Sequence, residues 1–103
     1  MNITLEQLIE IKNQWSDDTS KQKLNQFVKR VNTCNESSGN PSILFQLSKA
    51  DIEVEFRLWC YGTYSVMVIN TDTGQEYIMI DKYYTDLAEP KSAFEFVLNY
   101  LKD

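Results

Sequence analysis

The chain has 103 residues, no histidine, two cysteines, and 10 Lys and Arg against 15 Asp and Glu, for a net charge of −5. Without histidine it lacks the commonest general base, the usual partner of a nucleophilic Ser or Cys, and the usual zinc ligand, so Ser-His and Cys-His catalysis are excluded. One domain of this size folds to about 6,000 Å² of accessible surface, and its 43% apolar and 13% aromatic content supplies a core and places it outside the disordered class.

Thr4 with Gln7 three residues on is a capping box, and Leu5, Leu8, Ile9, Lys12 and Trp15 follow at helical spacing. This predicts a helix over about 4–15. The residues Met1 to Gln7 hold neither a basic stretch nor an apolar run, so no export signal and a cytoplasmic location are expected. No stretch approaches the ~18 apolar residues of a membrane span. Ser16, Asp17 and Asp18 can cap a second amphipathic segment in which Leu24, Phe27, Val28 and Val31 sit at i, i+3, i+4 and i+7, giving two helices or one bent helix. Lys21, Lys23, Lys29 and Arg30 then read as its solvated face rather than as a stripe for nucleic acid. The polar run from Thr33 to Ser42, with Gly39 and Pro41, reads as a loop.

Past this loop the period changes from helical to alternating. Ile52, Val54, Phe56, Leu58 and Cys60 alternate with Asp51, Glu53, Glu55, Arg57 and Trp59, the pattern of a strand with two different faces. A shorter apolar run at Ile43, Leu44, Phe45 and Leu47 precedes it, and Tyr64 to Ile69 and Tyr77 to Ile80 follow. Tyr61-Gly62 and Thr71-Asp72-Thr73-Gly74 supply tight turns. Pro90 stands where a helix can begin, and Phe94, Val97, Leu98 and Leu101 form its stripe. The expected fold is α+β: an N-terminal helix or helices, a four-stranded antiparallel meander, and a C-terminal helix packed on the sheet.

Two-residue turns at Tyr61-Gly62 and Asp72-Thr73 would set Phe56 opposite Met67, Val54 opposite Ile69, and Met67 opposite Ile78. One face then collects Val54, Phe56, Leu58, Met67, Ile69, Ile78 and Ile80 as a core. The other collects Glu53, Glu55, Arg57 and Trp59 beside Tyr64, Val66, Val68, Tyr77 and Met79. Such a mixture of acids and large rings has two readings: a protein-binding surface, or ordinary core beneath the N-terminal helices.

Charge favours a protein partner. Residues 1–50 carry +1 and residues 51–103 carry −6, a field that repels phosphate, so no direct nucleic-acid binding is expected. Cys34 and Cys60 form no CxxC and stand beside no carboxylate cluster, so neither metal nor cofactor is expected, and Cys60 reads as a reduced buried thiol. The candidate contact set is Asp51, Glu53, Glu55, Trp59, Tyr61 and Tyr64, with the rings as anchors and the acids as matches for Lys and Arg. Asp72, Glu76 and Asp81 are a secondary acidic set. Glu53 and Glu55, with Tyr64 and Lys82, are the sole candidates for proton transfer, and no Gly-rich phosphate loop accompanies them; no enzyme is expected.

The run Phe56-Arg57-Leu58-Trp59-Cys60-Tyr61-Gly62, a strand, Asp72-Thr73-Gly74, an aromatic strand ending Lys82-Tyr83-Tyr84, and a C-terminal amphipathic helix resemble the small TriTu-type immunity proteins of contact-dependent growth inhibition and related polymorphic toxin systems. The likeness covers about half the chain. It implies a single non-enzymatic, cytoplasmic immunity domain over residues 1–103, which binds and neutralises the C-terminal domain of a cognate toxin, typically a nuclease that cleaves tRNA. It also admits elongation factor Tu, which such toxins can recruit, as a third member of the assembly. The six contact candidates are not inherited from that family; they rest on charge and register. The competing reading is an acidic adaptor, or an inhibitor that mimics nucleic acid, unrelated to any toxin.

Overall fold

Thr4 opens the first helix. Its hydroxyl accepts the Gln7 N–H at 3.1 Å and the Gln7 side-chain oxygen accepts the Thr4 N–H at 2.9 Å, satisfying two of the donors that a helix N-terminus leaves without partners. The computed structural model describes residues 1–22, 24–35 and 39–102, and in it this helix, α1 (Leu5–Lys21), runs straight through Ser16, Asp17 and Asp18. Those residues cap nothing. The buried stripe is Leu8, Ile11, Trp15 and Thr19, while Ile9 faces out.

The second amphipathic segment is not a helix. Val28–Cys34 is a strand, β1, in which Lys29, Val31 and Thr33 are half-buried and Val28, Arg30 and Asn32 are exposed. Helical spacing over eight residues is a weak signal, and the β-branched Val28, Val31 and Thr33 pack better on a pleated surface. Lys29 also rewards the strand: its Nζ donates to the Ser16 carbonyl at 3.0 Å and to the Thr19 and Ser20 hydroxyls at 3.3 and 2.8 Å, placing a cation on the last turns of α1. The basic residues therefore divide between helix and strand, with Lys23 outside the described residues. Of the expected Thr33–Ser42 loop, Thr33 and Cys34 end β1 and Ser42 opens β2; residues 36–38 lie outside the described ones.

Four more strands follow, β2 (Ser42–Lys49), β3 (Ile52–Trp59), β4 (Thr63–Asn70) and β5 (Glu76–Tyr83), and then α2 (Ala88–Leu98) and a short 3₁₀ turn at Asn99–Leu101. All neighbours pair antiparallel in the order β1-β2-β3-β4-β5. The sheet thus has five strands instead of four, and the strand at Ile43 is interior instead of an open edge. Pro90 sits inside the first turn of α2, where its missing N–H costs nothing, and the Asp86 carboxylate accepts the Ala88 N–H at 2.8 Å.

The register differs from expectation by one residue, which moves every side chain of β4 to the opposite face. Phe56 pairs with Val66, Val54 with Val68, and Met67 with Met79. The cause is the β3–β4 turn, which takes three residues, Cys60, Tyr61 and Gly62. Gly62 adopts φ +77, the left-handed position that closes a three-residue hairpin. Cys60 is held out of the ladder to β4, since its N–H goes to the Pro41 carbonyl and its carbonyl accepts the Ile3 N–H, both at 2.8 Å. Tyr64, Val66 and Val68 therefore point into the core, and Ser65, Met67 and Ile69 point away from it.

Both helices pack on this one face. Trp15 of α1 lies 6.4 Å from Phe45, 5.7 Å from Phe56 and 5.3 Å from Phe94 of α2, ring centre to ring centre. Lys91 of α2 bridges to Asp18 of α1 at 2.9 Å with its Nζ over the Trp15 ring. The accessible surface is 6044 Å², close to the expectation from size. No helix among the described residues is long and apolar enough to cross a membrane.

Candidate protein-interaction face

The other face of the sheet carries no helix among the described residues, and its side chains fall in cross-strand rows. One row runs Arg30, Gln46, Glu55, Met67, Met79. The next runs Asn32, Leu44, Arg57, Ser65, Asp81, and the one beyond it Cys34, Ser42, Trp59, with Thr63 and Tyr83 completing the line. On the other side of the first row stand Val28, Ser48, Glu53, Ile69 and Glu76. Cross-strand neighbours lie about 5 Å apart, so each row is a continuous strip of contact surface.

Hydrogen bonds hold part of this surface in place. Gln46 Nε2 donates to Glu53 at 3.3 Å and to Glu55 at 3.1 Å, so two carboxylates share one amide and keep acceptor capacity for an incoming cation. Arg57 donates to the Ser42 hydroxyl at 3.1 Å and lies 5.6 Å from the Trp59 ring, which keeps that ring from swinging freely. Leu44, Glu55, Arg57, Ser65, Met67, Met79 and Asp81 line a shallow depression of about 340 Å³ with an apolar floor and charged walls. A wider hollow of about 680 Å³, edged by Gln22, Ser92, Glu95, Phe96, Asn99 and Lys102 between the helix ends, gathers no comparable chemistry.

Three of the six predicted contact residues lie on this face: Glu53, Glu55 and Trp59, all half-buried. Asp51 sits at its margin in the β2–β3 turn, where its carboxylate accepts Asn70 Nδ2 at 2.9 Å and its carbonyl accepts the Thr71 N–H at 2.7 Å. Tyr61 stands at the far end in the β3–β4 turn, half exposed, its N–H donated to Asn40. Tyr64 does not belong to the set. The one-residue register change turns it into the core, 5% exposed and stacked 6.1 Å from Phe56. Tyr77 is displaced as well: the β-bulge between Val68 and Ile69 aims it to the helix side, where it stacks on Tyr100 at 6.2 Å.

Met67, Ile69 and Tyr83 join the face without having been expected there. Tyr83 continues the alternation of Met79 and Asp81 and is 82% exposed, so extending the strand by three residues would have found it; Met67 and Ile69 needed the true turn length. The secondary acids Asp72, Glu76 and Asp81 are all exposed. Of the proton-transfer candidates, Glu53 and Glu55 stand on the open face while Tyr64 and Lys82 pair with each other and project to the helix side, so the sheet separates the two halves of that set. Among the described residues no group of His, Cys, Asp and Glu could hold a metal ion, and Cys34 and Cys60 are both free thiols.

Titration shifts accompany the closed side. Burial pushes the Cys60 thiol up, and burial with Glu89 nearby pushes Tyr64 up. Burial likewise raises Tyr84 to about 12, and its hydroxyl donates to the Trp59 carbonyl at 2.8 Å. Asp18 is held below the usual carboxylate range by its bond to Lys91. No family model, no curated protein and no solved structure matches the chain.

Proposed function

We propose that this chain is an immunity protein, which binds the C-terminal nuclease domain of a cognate contact-dependent growth inhibition toxin in the cytoplasm and neutralises it through the open face of its sheet. The observation that carries the reading is a sheet face that no helix covers among the described residues while it bears Trp59, Met67, Ile69, Met79 and Tyr83 among the carboxylates of Glu53, Glu55 and Asp81. Single exposed apolar residues are ordinary, but a contiguous patch of amphipathic rings and methionine rimmed by acids matches a contact surface. The likeness of residues 52–101 to TriTu-type immunity proteins supplies the partner class.

The physics of such a partnership is direct. RNA is a polyanion and domains that cleave it are usually basic, so a net charge of −5 steers this chain onto such a partner and raises the association rate. Trp59, Met67 and Met79 then exclude water from the contact and Glu53, Glu55 and Asp81 meet Lys and Arg. A standard interface takes about 800 Å² per partner, near one-eighth of the 6044 Å² surface, which one sheet face supplies. A toxin surface covered in this way is closed to RNA. Elongation factor Tu, where a toxin recruits it, enters the assembly through the toxin.

The test is co-purification. The tagged chain is expressed from its native operon, washed at high salt, and what stays bound is identified by mass spectrometry. Recovery of a basic nuclease-like domain in equal amount, with its toxicity suppressed by the chain, is the expected result. Recovery of the chain alone, with no toxin-like neighbour in the operon, overturns the antidote reading in favour of an acidic adaptor or nucleic-acid mimic.

A further inference from the structure

We infer that the outer edge of β5 is a docking site for an extended basic segment of a partner protein, which adds to the sheet as a sixth strand; this rests on reading the chain as a binding protein, not on which toxin it binds. The backbone shows which groups are offered. The Tyr84 N–H donates to the Gly62 carbonyl at 2.9 Å, and this bond flanks the Thr63–Tyr83 pair, marking it as a pair whose own N–H and C=O point away from each other. Alternation along the ladder then directs the backbone groups of Ile78, Ile80 and Lys82 to β4, and those of Met79, Asp81 and Tyr83 to the open edge. Among the described residues no strand meets that edge.

The edge is also only partly defended. Proteins blunt an exposed strand with lysine, proline, a bulge or a short length. At the opposite edge, β1 does so with Lys29 and Arg30 beside one another and with Lys29 drawn onto α1. β5 carries one lysine, Lys82, beside Asp81, but Tyr77, Ile78, Met79, Ile80 and Tyr83 fill five of its eight positions without proline or glycine, and its bulge lies at one end. Met79 and Tyr83 are 58% and 82% exposed.

The surroundings fix the chemistry of the incoming strand. Side chains of an added strand alternate between the two faces. Toward the open face they meet Asp81 and Met79, with Glu55 two strands away in the same row as Met79. Toward the helix side they meet Lys82, whose cation disfavours a basic residue there, and an aromatic shelf, in which Tyr77 stacks on Tyr100 and Tyr100 lies 6.4 Å from Phe96, itself half exposed. The segment that fits alternates basic and apolar residues, with main-chain bonds giving affinity and alternate side chains giving specificity. A second copy fits less well: each copy carries −5, and pairing centred on Asp81 sets like charges directly opposite.

A blocked eight-residue peptide alternating Lys and Val is the probe, with the Glu-Val peptide as control, and amide hydrogen exchange of the full chain followed by NMR is the readout. The Lys-Val peptide is expected to slow exchange at Met79, Asp81 and Tyr83 about tenfold or more, leaving β1 unchanged. Asp81→Lys, at an exposed position with no role in the core, weakens that peptide about tenfold and favours the Glu-Val peptide. Exchange at the three amides unaltered by saturating peptide overturns the inference, as does equal binding of both peptides. Protection of the same amides in the free chain that grows with its concentration also overturns it, assigning the edge to a second copy. None of these outcomes bears on whether a toxin co-purifies.

Discussion

Phe56 and Arg57 are adjacent in sequence and live in different environments. Phe56 is fully buried among Trp15, Phe45 and Phe94, while Arg57 is half exposed on the bare side of the same strand. The same contrast repeats along β3 and β4, because alternate residues of a strand face opposite ways. Both helices chose the side on which apolar residues run unbroken across neighbouring strands, Phe45 beside Phe56 beside Val66, and left the side on which they are interrupted by Gln46, Glu55 and Arg57. The difference teaches that folding and binding are carried by separate sets of residues in this sheet, divided by parity along each strand.

The largest expected effect tests that division by truncating one residue on each side. Phe56→Ala leaves a void beneath both helices and should cost about 3–5 kcal/mol of unfolding free energy. Met67→Ala, on the open side, should cost less than about 1 kcal/mol, since only part of its surface is withdrawn from water. Urea denaturation of the two variants gives the comparison, and equal losses would break it.

A second, smaller effect sharpens it through pH. Tyr84, buried on the closed side, has its phenol raised to about 12, against about 10 in the unfolded chain. The folded state then keeps a proton that the unfolded state has lost. Stability is fully present below pH 10 and falls between pH 10 and 12, by up to about 1.4 kcal/mol per pH unit from this group. Tyr84→Phe removes the bond to the Trp59 carbonyl, at a cost of about 1 kcal/mol near neutrality, and should flatten that alkaline decline. A decline just as steep in the variant would assign it to other groups.

The readable parts of this fold are those decided locally. The Thr4–Gln7 box, the alternation of β3 and the stripe of Phe94, Val97 and Leu98 are each local to one element, and each element is where its residues place it. β1 was illegible because Leu24, Phe27, Val28 and Val31 satisfy a helical spacing over a span too short to exclude a strand. The register of β4 was illegible for another reason. Whether the turn after Trp59 takes two residues or three depends on Cys60 being claimed by Pro41 and Ile3, contacts distant in sequence. That one residue removed Tyr64 from the candidate site and brought in Met67 and Ile69, whereas Glu53, Glu55 and Trp59, all on β3, kept their side because their own alternation sets it.

The smallest stability effect is the one that isolates binding. Replacing Glu53 and Glu55 together by Gln preserves shape and leaves each side chain an oxygen that can still accept from Gln46 Nε2, so the hydrogen bonds at 3.3 and 3.1 Å have counterparts in the variant. It also relieves two carboxylates that share a single donor. The unfolding free energy should therefore stay within the change expected for surface substitutions, about 0.5 kcal/mol either way. Association with a basic partner should slow, because two negative charges are lost from the face that steers it, and the slowing should shrink as salt rises and screens what remains. Stopped-flow association at low and high salt separates the two possibilities. A rate unchanged at low salt would mean that the partner approaches by another surface, and would move the site away from β3 while leaving the closed side of the sheet as it stands.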